Sequence, residues 1–481
     1  MESLADFLQH LQREHPGEIL EIERPISPES FQVTALLSHL EARGQFPLVL
    51  FRSPHCLQGG ISSFPLVTNV FATREKCAIA MGLEPGSAGL PLSLDFAGRI
   101  NRRLSPARLA RGDAPVHEVV RVGDDADLRA LPLVRHHEMD PAPYLDMVTV
   151  FRDPDHPFYN TAFQRTMYKG PRRLGLYLAP RHSWQLCKSY HARREPAPVA
   201  IVVSHHPLFF LGCLNVQPFG VDDYEVVGGL SGSPLRITPS ETWGEDFWVP
   251  ADADLIIEGE VPPGVREVEA PFGEWTGYYG PQRLSAVVEV TAITHRCRAF
   301  FQDIFVSHRE NWILGGIPKE GDVFNAIRGV VPSVRAVHFA FSGNCRLNCY
   351  VSIEKQAEGQ ARQAALMALA SCDFIKDVIV VDEDIDPFNE QEVLWAVATR
   401  CQPHEAVDII RDAKGSPLDP SVSSETSTSK MIIDATMPKR RPFAARTRVP
   451  VEALKSTRIE DFVAEEVLKG IPSHWDSRRS Q

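Results

Sequence analysis

The run Ala286-Val287-Val288-Glu289-Val290-Thr291-Ala292-Ile293-Thr294 is the longest of several β-branched segments in the middle of the chain. Branched side chains favour strands because they pack well on a pleated surface. Shorter runs of the same kind are punctuated by glycine and proline, at residues 119–122, 147–151, 199–203 and 254–258. Few helical patterns intervene, although one helix is expected around residues 183–194. We therefore predict that residues 116–310 form a barrel or sandwich domain.

Both flanks of this region alternate between helical and strand patterns. At the start of the chain, Leu4, Phe7, Leu8 and Leu11 recur at helical spacing after Ser3, which predicts an amphipathic helix. A strand at residues 18–26, a helix at 31–41 and a strand at 47–51 are expected next. Towards the end of the chain, the patterns predict helices at 360–370 and 390–400 around a strand at 377–381, a mobile loop at 415–429 and a final helix at 459–469.

The resulting fold class is α/β, with α+β character and several domains. We predict an N-terminal α/β domain at residues 1–115, the strand-rich domain at 116–310, a C-terminal α/β domain at 311–445, and a C-terminal helix and tail at 446–481. A chain of 481 residues is long enough for two or three domains, each with its own core.

The composition argues against two classes of partner. The chain has 62 acidic and 50 basic residues, which gives a formal net charge of −12. This acidic balance is unsuited to general nucleic-acid binding. No segment reaches the roughly 18 consecutive apolar residues of a membrane span, and the N-terminus shows no signal-peptide pattern. The nine cysteines include no Cys-x-x-Cys pair. Free thiols in a reducing cytoplasm are therefore expected, with no nucleic-acid or membrane partner.

The stretch Glu269-Ala270-Pro271-Phe272-Gly273-Glu274-Trp275-Thr276-Gly277-Tyr278 sets two carboxylates five residues apart. In a straight strand this spacing points them to opposite faces, and on a helix it separates them by about 140°. A bend at residues 271–273 could turn both to one site. Taken alone, the stretch is also consistent with a solvated loop that carries two acids.

Three other segments carry polar groups suited to anions or cations. Asn160 and Arg165 offer a hard carbonyl oxygen and a forked donor, although a polar strand end would look the same. His182 follows a basic run, and the pattern also fits an ordinary polar histidine. Asp222-Asp223-Tyr224-Glu225 precedes two glycines, so these acids could ligate a cation or could form an acidic turn.

Taken in order, these segments resemble the UbiD-like decarboxylases, which use prenylated FMN. The strongest similarity is the stretch from Glu269 to Tyr278 quoted above. The resemblance covers almost the whole chain and includes residues 3–8, 160–165, 181–182, 223–230, 258–261, 269–278, 376–386 and 394–400. It implies a split-barrel, flavin-reductase-like domain in the middle of the chain and an α/β domain used in dimer contacts in the last third.

The resemblance also implies roles for individual residues. Glu274, Arg165 and Glu269 match the catalytic Glu-Arg-Glu network. Asn160, His182 and Asp223 match the ligands of a divalent ion, usually manganese (Mn2+), that ties the cofactor phosphate to the protein, with potassium (K+) nearby. The cofactor-binding set comprises Asn160, Thr161, Ala162, Phe163, Gln164, Arg165, Arg181, His182, Asp223 and Lys376.

Two positions set this sequence apart. The family's third metal ligand is usually Glu, but here Asp223 is one methylene shorter, and Glu225 is the alternative ligand. Trp275 directly follows Glu274, and its bulk is expected to narrow the pocket and affect which substrates fit.

The implied activity is non-oxidative decarboxylation of an α,β-unsaturated acid, whether acrylic-type, aromatic or heteroaromatic, with the physiological direction left open. Glu274 would be the proton donor, with a pKa raised by burial and by a nearby carboxylate. The alternative is a split-barrel FMN-binding redox flavoprotein, which would not need the acid network. The expected partners are the substrate acid, a flavin prenyltransferase that supplies the cofactor, and further copies of the chain in a homodimer or larger homo-oligomer.

Overall fold

The computed structural model of the chain describes residues 3–422 and 427–471. Among these residues, no helix is both long enough and apolar enough to cross a lipid bilayer.

The N-terminal part is a small sheet covered by helices. Its first helix begins where Ser3 and Asp6 cap each other: the Asp6 amide donates to Ser3 Oγ at 3.2 Å, and the Ser3 amide donates to Asp6 Oδ2 at 3.1 Å. The apolar face of this helix is buried, as its spacing predicts. The elements are α1 (Leu4–Glu14), β1 (Ile19–Ile22), α2 (Gln32–Glu41), β2 (Leu48–Phe51), β3 (Leu66–Thr68), α3 (Arg74–Ala80) and α4 (Leu90–Arg99).

The central part holds the longest strands of the chain and three helices. Its elements are β4 (Ala107–Arg108), β5 (Val119–Val122), β6 (Tyr144–Arg152), β7 (Tyr159–Gly170), β8 (Arg173–Leu176), α5 (His182–Ala192), β9 (Ala197–Ser204), α6 (Pro207–Cys213), α7 (Asp223–Ser231), β10 (Arg236–Ser240), β11 (Gly244–Pro250), β12 (Leu255–Val261), β13 (Glu267–Glu269), β14 (Phe272–Gly273), β15 (Tyr279–Gly280), β16 (Arg283–His295) and β17 (Phe301–Gln302).

Six of these strands close into an antiparallel barrel. Neighbouring strands follow the order β6, β7, β8, β16, β12 and β9, and β9 pairs back with β6. The β-branched run at residues 286–294 lies in β16, which pairs with both β8 and β12. Closure leaves these strands without a free edge. Of the two architectures predicted for this region, the barrel is therefore the one that forms.

The C-terminal part is a five-stranded mixed sheet with helices on it. The strand order is β18-β19-β20-β22-β21, in which β19, β20 and β22 run parallel. The elements are α8 (Arg309–Arg328), β18 (Val334–Phe339), β19 (Asn348–Ile353), α9 (Gln360–Ser371), β20 (Asp377–Asp382), α10 (Glu390–Arg400), α11 (Pro403–Ala406), β21 (Val407–Lys414), β22 (Ser427–Asp434), α12 (Val451–Ser456) and α13 (Glu465–Gly470).

Two local predictions are wrong in extent. The loop predicted at residues 415–429 ends earlier, because β22 begins at Ser427 and pairs with β21; residues 423–426 lie outside the described residues, and mobility stays a prediction. The helix predicted at 459–469 is two short pieces, a 3-10 turn at Ile459–Asp461 and α13. Side chains there are exposed, with Phe462 at 76%, so no core stabilises a longer helix.

The α/β multidomain fold class predicted from the sequence is confirmed. The division at residues 115, 310 and 445 stays a prediction. One observation bears on it: β17 pairs with β3, so the last strand before α8 completes the N-terminal sheet, in the order β1-β2-β3-β17.

Candidate active site

The two carboxylates at residues 269 and 274 are brought together by a bend and a hairpin. Glu269 ends β13, and Ala270 then adopts a left-handed backbone conformation with φ 75°. The chain continues through β14, which pairs with β15. Within the intervening turn, the Glu274 amide donates to the Tyr278 carbonyl at 2.9 Å. The predicted bend is therefore present, and it begins one residue before Pro271.

Arg165, in the middle of β7, joins both carboxylates. Its Nη2 donates to Glu269 Oε2 at 2.8 Å, and its Nη1 donates to Glu274 Oε1. These residues are 104 and 109 positions from Arg165 in the sequence. All three side chains are buried, with exposed fractions of 7% for Arg165, 0% for Glu269 and 5% for Glu274. The structure thus places the predicted Glu-Arg-Glu set in one network.

Neighbouring side chains hold this network in place. Tyr144 Oη donates to Glu269 Oε1 at 3.3 Å, and Ser285 Oγ donates to Glu269 Oε2 at 3.4 Å. The Arg165 guanidinium lies over the rings of Tyr177, at 4.5 Å, and Phe272, at 5.1 Å. Such stacking suits arginine and fixes the plane of its fork.

Gly280 provides the space that the Glu274 carboxylate occupies. A Cβ atom at this position would lie 2.8 Å from Glu274 Oε1 and 3.3 Å from Arg165 Nη1. Since β15 pairs with β14, the backbone has little freedom to withdraw. Any side chain here would therefore press on both ends of the ion pair.

The environment of Glu274 raises its pKa towards neutrality. Burial and, to a smaller extent, the charge of Glu269 raise the pKa of Glu274 to about 7, against the opposing effect of Arg165. Burial alone would lower the pKa of Arg165, but the charges of Glu274 and Glu269 outweigh this effect and raise it. Arg165 therefore stays charged, while Glu274 can take up or release a proton near neutral pH.

The three predicted metal ligands lie in one neighbourhood at the start of β7. Asn160 Nδ2 donates to Ser183 Oγ at 2.8 Å, beside His182 at the start of α5. The next residue, Thr161, donates from its amide to Asp223 Oδ2 at 2.7 Å, at the start of α7. One strand thus connects to the two helices that carry the other two residues.

The donor set fits a hard or borderline divalent ion such as Mn2+. Because Asn160 donates through its amide nitrogen, its carbonyl oxygen remains available as a ligand. The ring nitrogens of His182 have no hydrogen-bond partner in the described part of the chain, and burial lowers the pKa of His182, which favours the neutral, ligating form. Glu225, the alternative to Asp223, instead accepts from Ser105 Oγ at 3.1 Å.

Three family models match the chain. They describe the N-terminal, Rift-related and C-terminal domains of 3-octaprenyl-4-hydroxybenzoate carboxy-lyase (UbiD), and they match residues 11–89, 107–309 and 313–435. An anhydromevalonate phosphate decarboxylase of Methanothermobacter thermautotrophicus is 32% identical over 383 residues, which are 78% of this chain and 86% of that protein.

The chain belongs to the UbiD family. A phenolic acid decarboxylase of Sedimentibacter hydroxybenzoicus is 30% identical over 90% of this chain and 91% of that protein. Among solved structures, the UbiD-class enzyme HmfF from Pelotomaculum thermopropionicum in complex with FMN is 34% identical with a TM-score of 0.85, covering 96% of this chain and all of that one. An evolved dimeric form of HmfF with prFMN, 32% identical, has a TM-score of 0.84 over 96% of this chain and all of that one. The resemblance stated from the sequence is confirmed, and so is the enzyme class, a carboxy-lyase.

The other residues predicted to bind the cofactor lie on β7, at the start of α5 and directly before β20. Gln164 has a buried Oε1 atom with no hydrogen-bond partner. The Phe163 ring packs against the Phe210 ring, with centroids 5.7 Å apart. Ala162 lies between Thr161 and Phe163 on β7. Because neighbouring residues of a strand point to opposite faces, Gln164 and Phe163 face different sides of β7, and the cofactor roles of residues 162–164 stay predictions.

Arg181 and Lys376 have intramolecular partners. Arg181 Nη2 donates to the carboxylate of Asp373 at 2.9 Å. Lys376 Nζ donates to Asp419 Oδ2 at 2.9 Å, and also to Ser421 Oγ. A phosphate that approached Lys376 would compete with Asp419. The roles assigned to both residues stay predictions.

Sequence reasoning missed the residues that support the network. Tyr144, Tyr177 and Ser285 carry no motif, because each is one residue of an ordinary strand or connection. Gly280, in contrast, could have been recognised from the sequence. It lies two residues beyond the quoted stretch, where a second glycine so close to Gly277 indicates a tight approach of backbone to a side chain.

Proposed function

We propose that this UbiD-family chain catalyses the non-oxidative decarboxylation of an α,β-unsaturated carboxylic acid with prenylated FMN. The observation that carries the proposal is the buried arrangement of Arg165 between Glu269 and Glu274. A buried acid with a pKa of about 7, beside a second carboxylate and a fixed cation, is a proton donor for carbon.

The chemistry requires a bound cofactor. Loss of CO2 from an sp2 carbon leaves an electron pair out of conjugation, and no side chain accepts such a pair; prenylated FMN supplies the electron sink when it is bound. Gln164, with its unpaired amide oxygen, lies on the same strand as Arg165. HmfF, which is known with FMN and with prFMN, supports the same class of cofactor here.

In the proposed mechanism, the side chains position the substrate and transfer the proton. Arg165 binds Glu269 through Nη2 and directs the Glu274 carboxyl through Nη1. Protonated Glu274 donates to the carbon that carried the carboxylate, and it then regains a proton. Tyr144 and Ser285 hold the Glu269 carboxylate in place beside Arg165.

Asn160, His182 and Asp223 are proposed to hold Mn2+ against the cofactor phosphate, with K+ nearby and Lys376 as a further phosphate contact. The Thr161 amide–Asp223 bond favours Asp223 over Glu225 as the third ligand. We expect Asn160→Ala and His182→Ala proteins to purify without flavin, measured by the absorbance spectrum and by metal analysis. A normal flavin spectrum in both variants would contradict the assignment.

The oligomer and its supply of cofactor are also proposals. A flavin prenyltransferase would provide the cofactor. Assembly into a homodimer or a larger homo-oligomer is supported by exposed apolar side chains near the C-terminus, such as Leu454 and Phe462. Light scattering coupled to size exclusion tests this assembly, and a monomeric protein would contradict it.

The decisive experiment is expression together with a flavin prenyltransferase, followed by a screen for CO2 release. Unsaturated, aromatic and heteroaromatic acids should be supplied to the flavin-loaded protein. Release of CO2 from at least one acid is expected. Flavin-loaded protein that releases none from the panel, while a known UbiD decarboxylase prepared in parallel does, would overturn the proposed function.

A further inference from the structure

Trp275, the residue after Glu274, lies between the acid network and two buried cations. Its carbonyl accepts from Trp312 Nε1 at 2.7 Å and from Asn344 Nδ2 at 3.1 Å. Its ring meets Phe374 edge-on, with centroids 5.8 Å apart. The Arg346 guanidinium lies 5.1 Å from the centre of the same ring. The side chain that borders Glu274 thus also borders a positive charge.

Arg346 is buried, and no carboxylate of residues 3–422 or 427–471 pairs with it. Its exposed fraction is 7%, and it donates only to backbone carbonyls, Nη1 to Asn344 at 3.3 Å and Nη2 to Asn311 at 3.1 Å. A side chain at Gly315 would overlap the guanidinium, so the glycine is what allows arginine to lie against α8. Within the described residues, Arg346 forms no ion pair.

Lys319, one helical turn after Gly315 on α8, brings a second cation to the contact between Trp275 and Phe374. Its exposed fraction is 5%, and its Nζ donates to the Gly315 carbonyl at 2.9 Å. Nζ also lies 5.1 Å from the centre of the Phe374 ring. Residues 311, 315 and 319 recur at a spacing of four and share one helix face. This face therefore brings both cations to the Trp275–Phe374 contact.

The acids around these cations are already engaged. Asp322, whose charge acts on Lys319, accepts from Asn215 Nδ2 at 2.8 Å and from the Val216 amide at 3.1 Å. Asp373 is paired with Arg181, whose guanidinium lies over the Phe374 ring at 4.4 Å. Burial and the charge of Arg346 lower the pKa of Lys319 to about 8. The Lys319–Arg346 pair is therefore short of negative charge.

Two buried cations side by side are costly unless an anion joins them. Arg346 contacts the Trp275 ring, Lys319 contacts the Phe374 ring packed against it, and Trp275 directly follows Glu274 in the chain; we therefore assign the missing anion to a molecule in the reaction pocket. We propose that the substrate carries a second anionic group, a carboxylate or a phosphate, which binds Lys319 and Arg346 while the reacting carbon faces Glu274. This proposal rests on the proposed decarboxylase function and makes Lys319 and Arg346 determinants of substrate specificity.

Binding of unreactive acids to the flavin-loaded full-length protein tests the proposal without turnover. The probes are 3-phenylpropanoate and its derivatives that carry a 4-carboxymethyl group or a 4-(methyl phosphate) ester, each of which adds one negative charge; in none of them is a carboxylate bonded to an sp2 carbon. Calorimetry should show at least one dianion binding about 10- to 100-fold more tightly than the monoanion, as expected for charge-assisted hydrogen bonds. Which dianion binds more tightly distinguishes a carboxylate from a phosphate.

Lys319→Met and Arg346→Met should each remove this preference while the flavin content is retained. Lys355→Met is the matched control, because Lys355 is equally buried in the same domain but is paired with Glu358 at 2.8 Å; it should keep the preference. Should Arg346→Met fail to fold, Lys319→Met decides alone.

Equal affinities for monoanion and dianions in the unmodified protein, or a preference that survives Lys319→Met, would overturn the proposal. Loss of flavin from Lys319→Met would also overturn it, because the cations would then serve the cofactor phosphate. None of these outcomes depends on CO2 release, so a failure here is distinguishable from a failure of the proposed function.

Discussion

The Arg165 network and the Lys319–Arg346 pair are two buried charged clusters on either side of Trp275, and they differ in one respect. Their cations are almost equally buried, with exposed fractions of 7% for Arg165, 7% for Arg346 and 5% for Lys319. Arg165 has two carboxylate partners within the chain, whereas the other two cations have none in the described part of the chain. The first cluster is complete by itself, and the second is completed from outside.

This difference suits the Arg165 network to proton transfer and the Lys319–Arg346 pair to substrate recognition. A network that satisfies its own charges holds a fixed geometry in the absence of ligand, which is what proton transfer needs. An uncompensated pair retains its full attraction for an incoming anion, which is what selective binding needs. Four changes test whether the contrast holds.

The largest expected effect is on turnover. Glu274→Gln keeps the size of the side chain but removes the proton donor, so we expect kcat to fall about 10²- to 10⁴-fold with the flavin spectrum unchanged. Glu267→Gln is the control, since Glu267 lies on the same segment but pairs with Arg173 at 2.6 Å, away from the network. Activity that persists in the fully loaded Glu274→Gln protein would remove this residue from its role.

Next in size is an opposite pair of stability changes. Arg165→Met leaves two buried acids without their cation, which costs about 3–5 kcal/mol, whereas Lys319→Met removes an uncompensated charge and should be neutral or stabilising by about 1 kcal/mol. In scanning calorimetry of flavin-free proteins, the apparent transition should fall by roughly 10 °C in the first variant and stay or rise in the second. Equal losses in both variants would erase the contrast between the clusters.

A smaller loss is expected from crowding the network. Gly280→Ala places a methyl group against Glu274 and Arg165, and displacement of catalytic groups by about 1 Å can cost about 100-fold in rate. Gly170→Ala is the control, because a Cβ atom there meets nothing within 4 Å. Comparison of kcat for the two variants measures the effect, and equal rates would show that the hairpin yields without disturbing the ion pair.

The smallest effect is a shift along the pH axis. Because Glu274 must be protonated to donate, and burial raises its pKa to about 7, kcat should be level below that pH and fall about tenfold per unit above it. Removing the negative charge in Glu269→Gln lowers the pKa of Glu274, so the fall in residual activity should begin at lower pH. A descent already under way near the ordinary value of 4.5 would contradict the assignment.

Much of the architecture could be predicted from local patterns. The apolar spacing after Ser3 gave the first helix, and the β-branched run at 286–294 lies within β16 as expected. Both signals depend on residues that are close together in the sequence. The helix or strand that they predict therefore changes little with the tertiary packing around it. The helix predicted at 459–469 was wrong because its spacing was suitable but nothing packs against it.

The sequence by itself determined the order of the strands and helices, the pair of acids around Pro271, and membership of the UbiD family. Only the tertiary structure decided which cation serves those acids, because Arg165 comes from more than a hundred residues away and reaches them through closure of the barrel. It also decided that Lys319 and Arg346 are left without an acid among the residues that the structure describes. Charge compensation is a property of distances between buried groups, and those distances are set by packing between elements rather than by the spacing of residues along the chain.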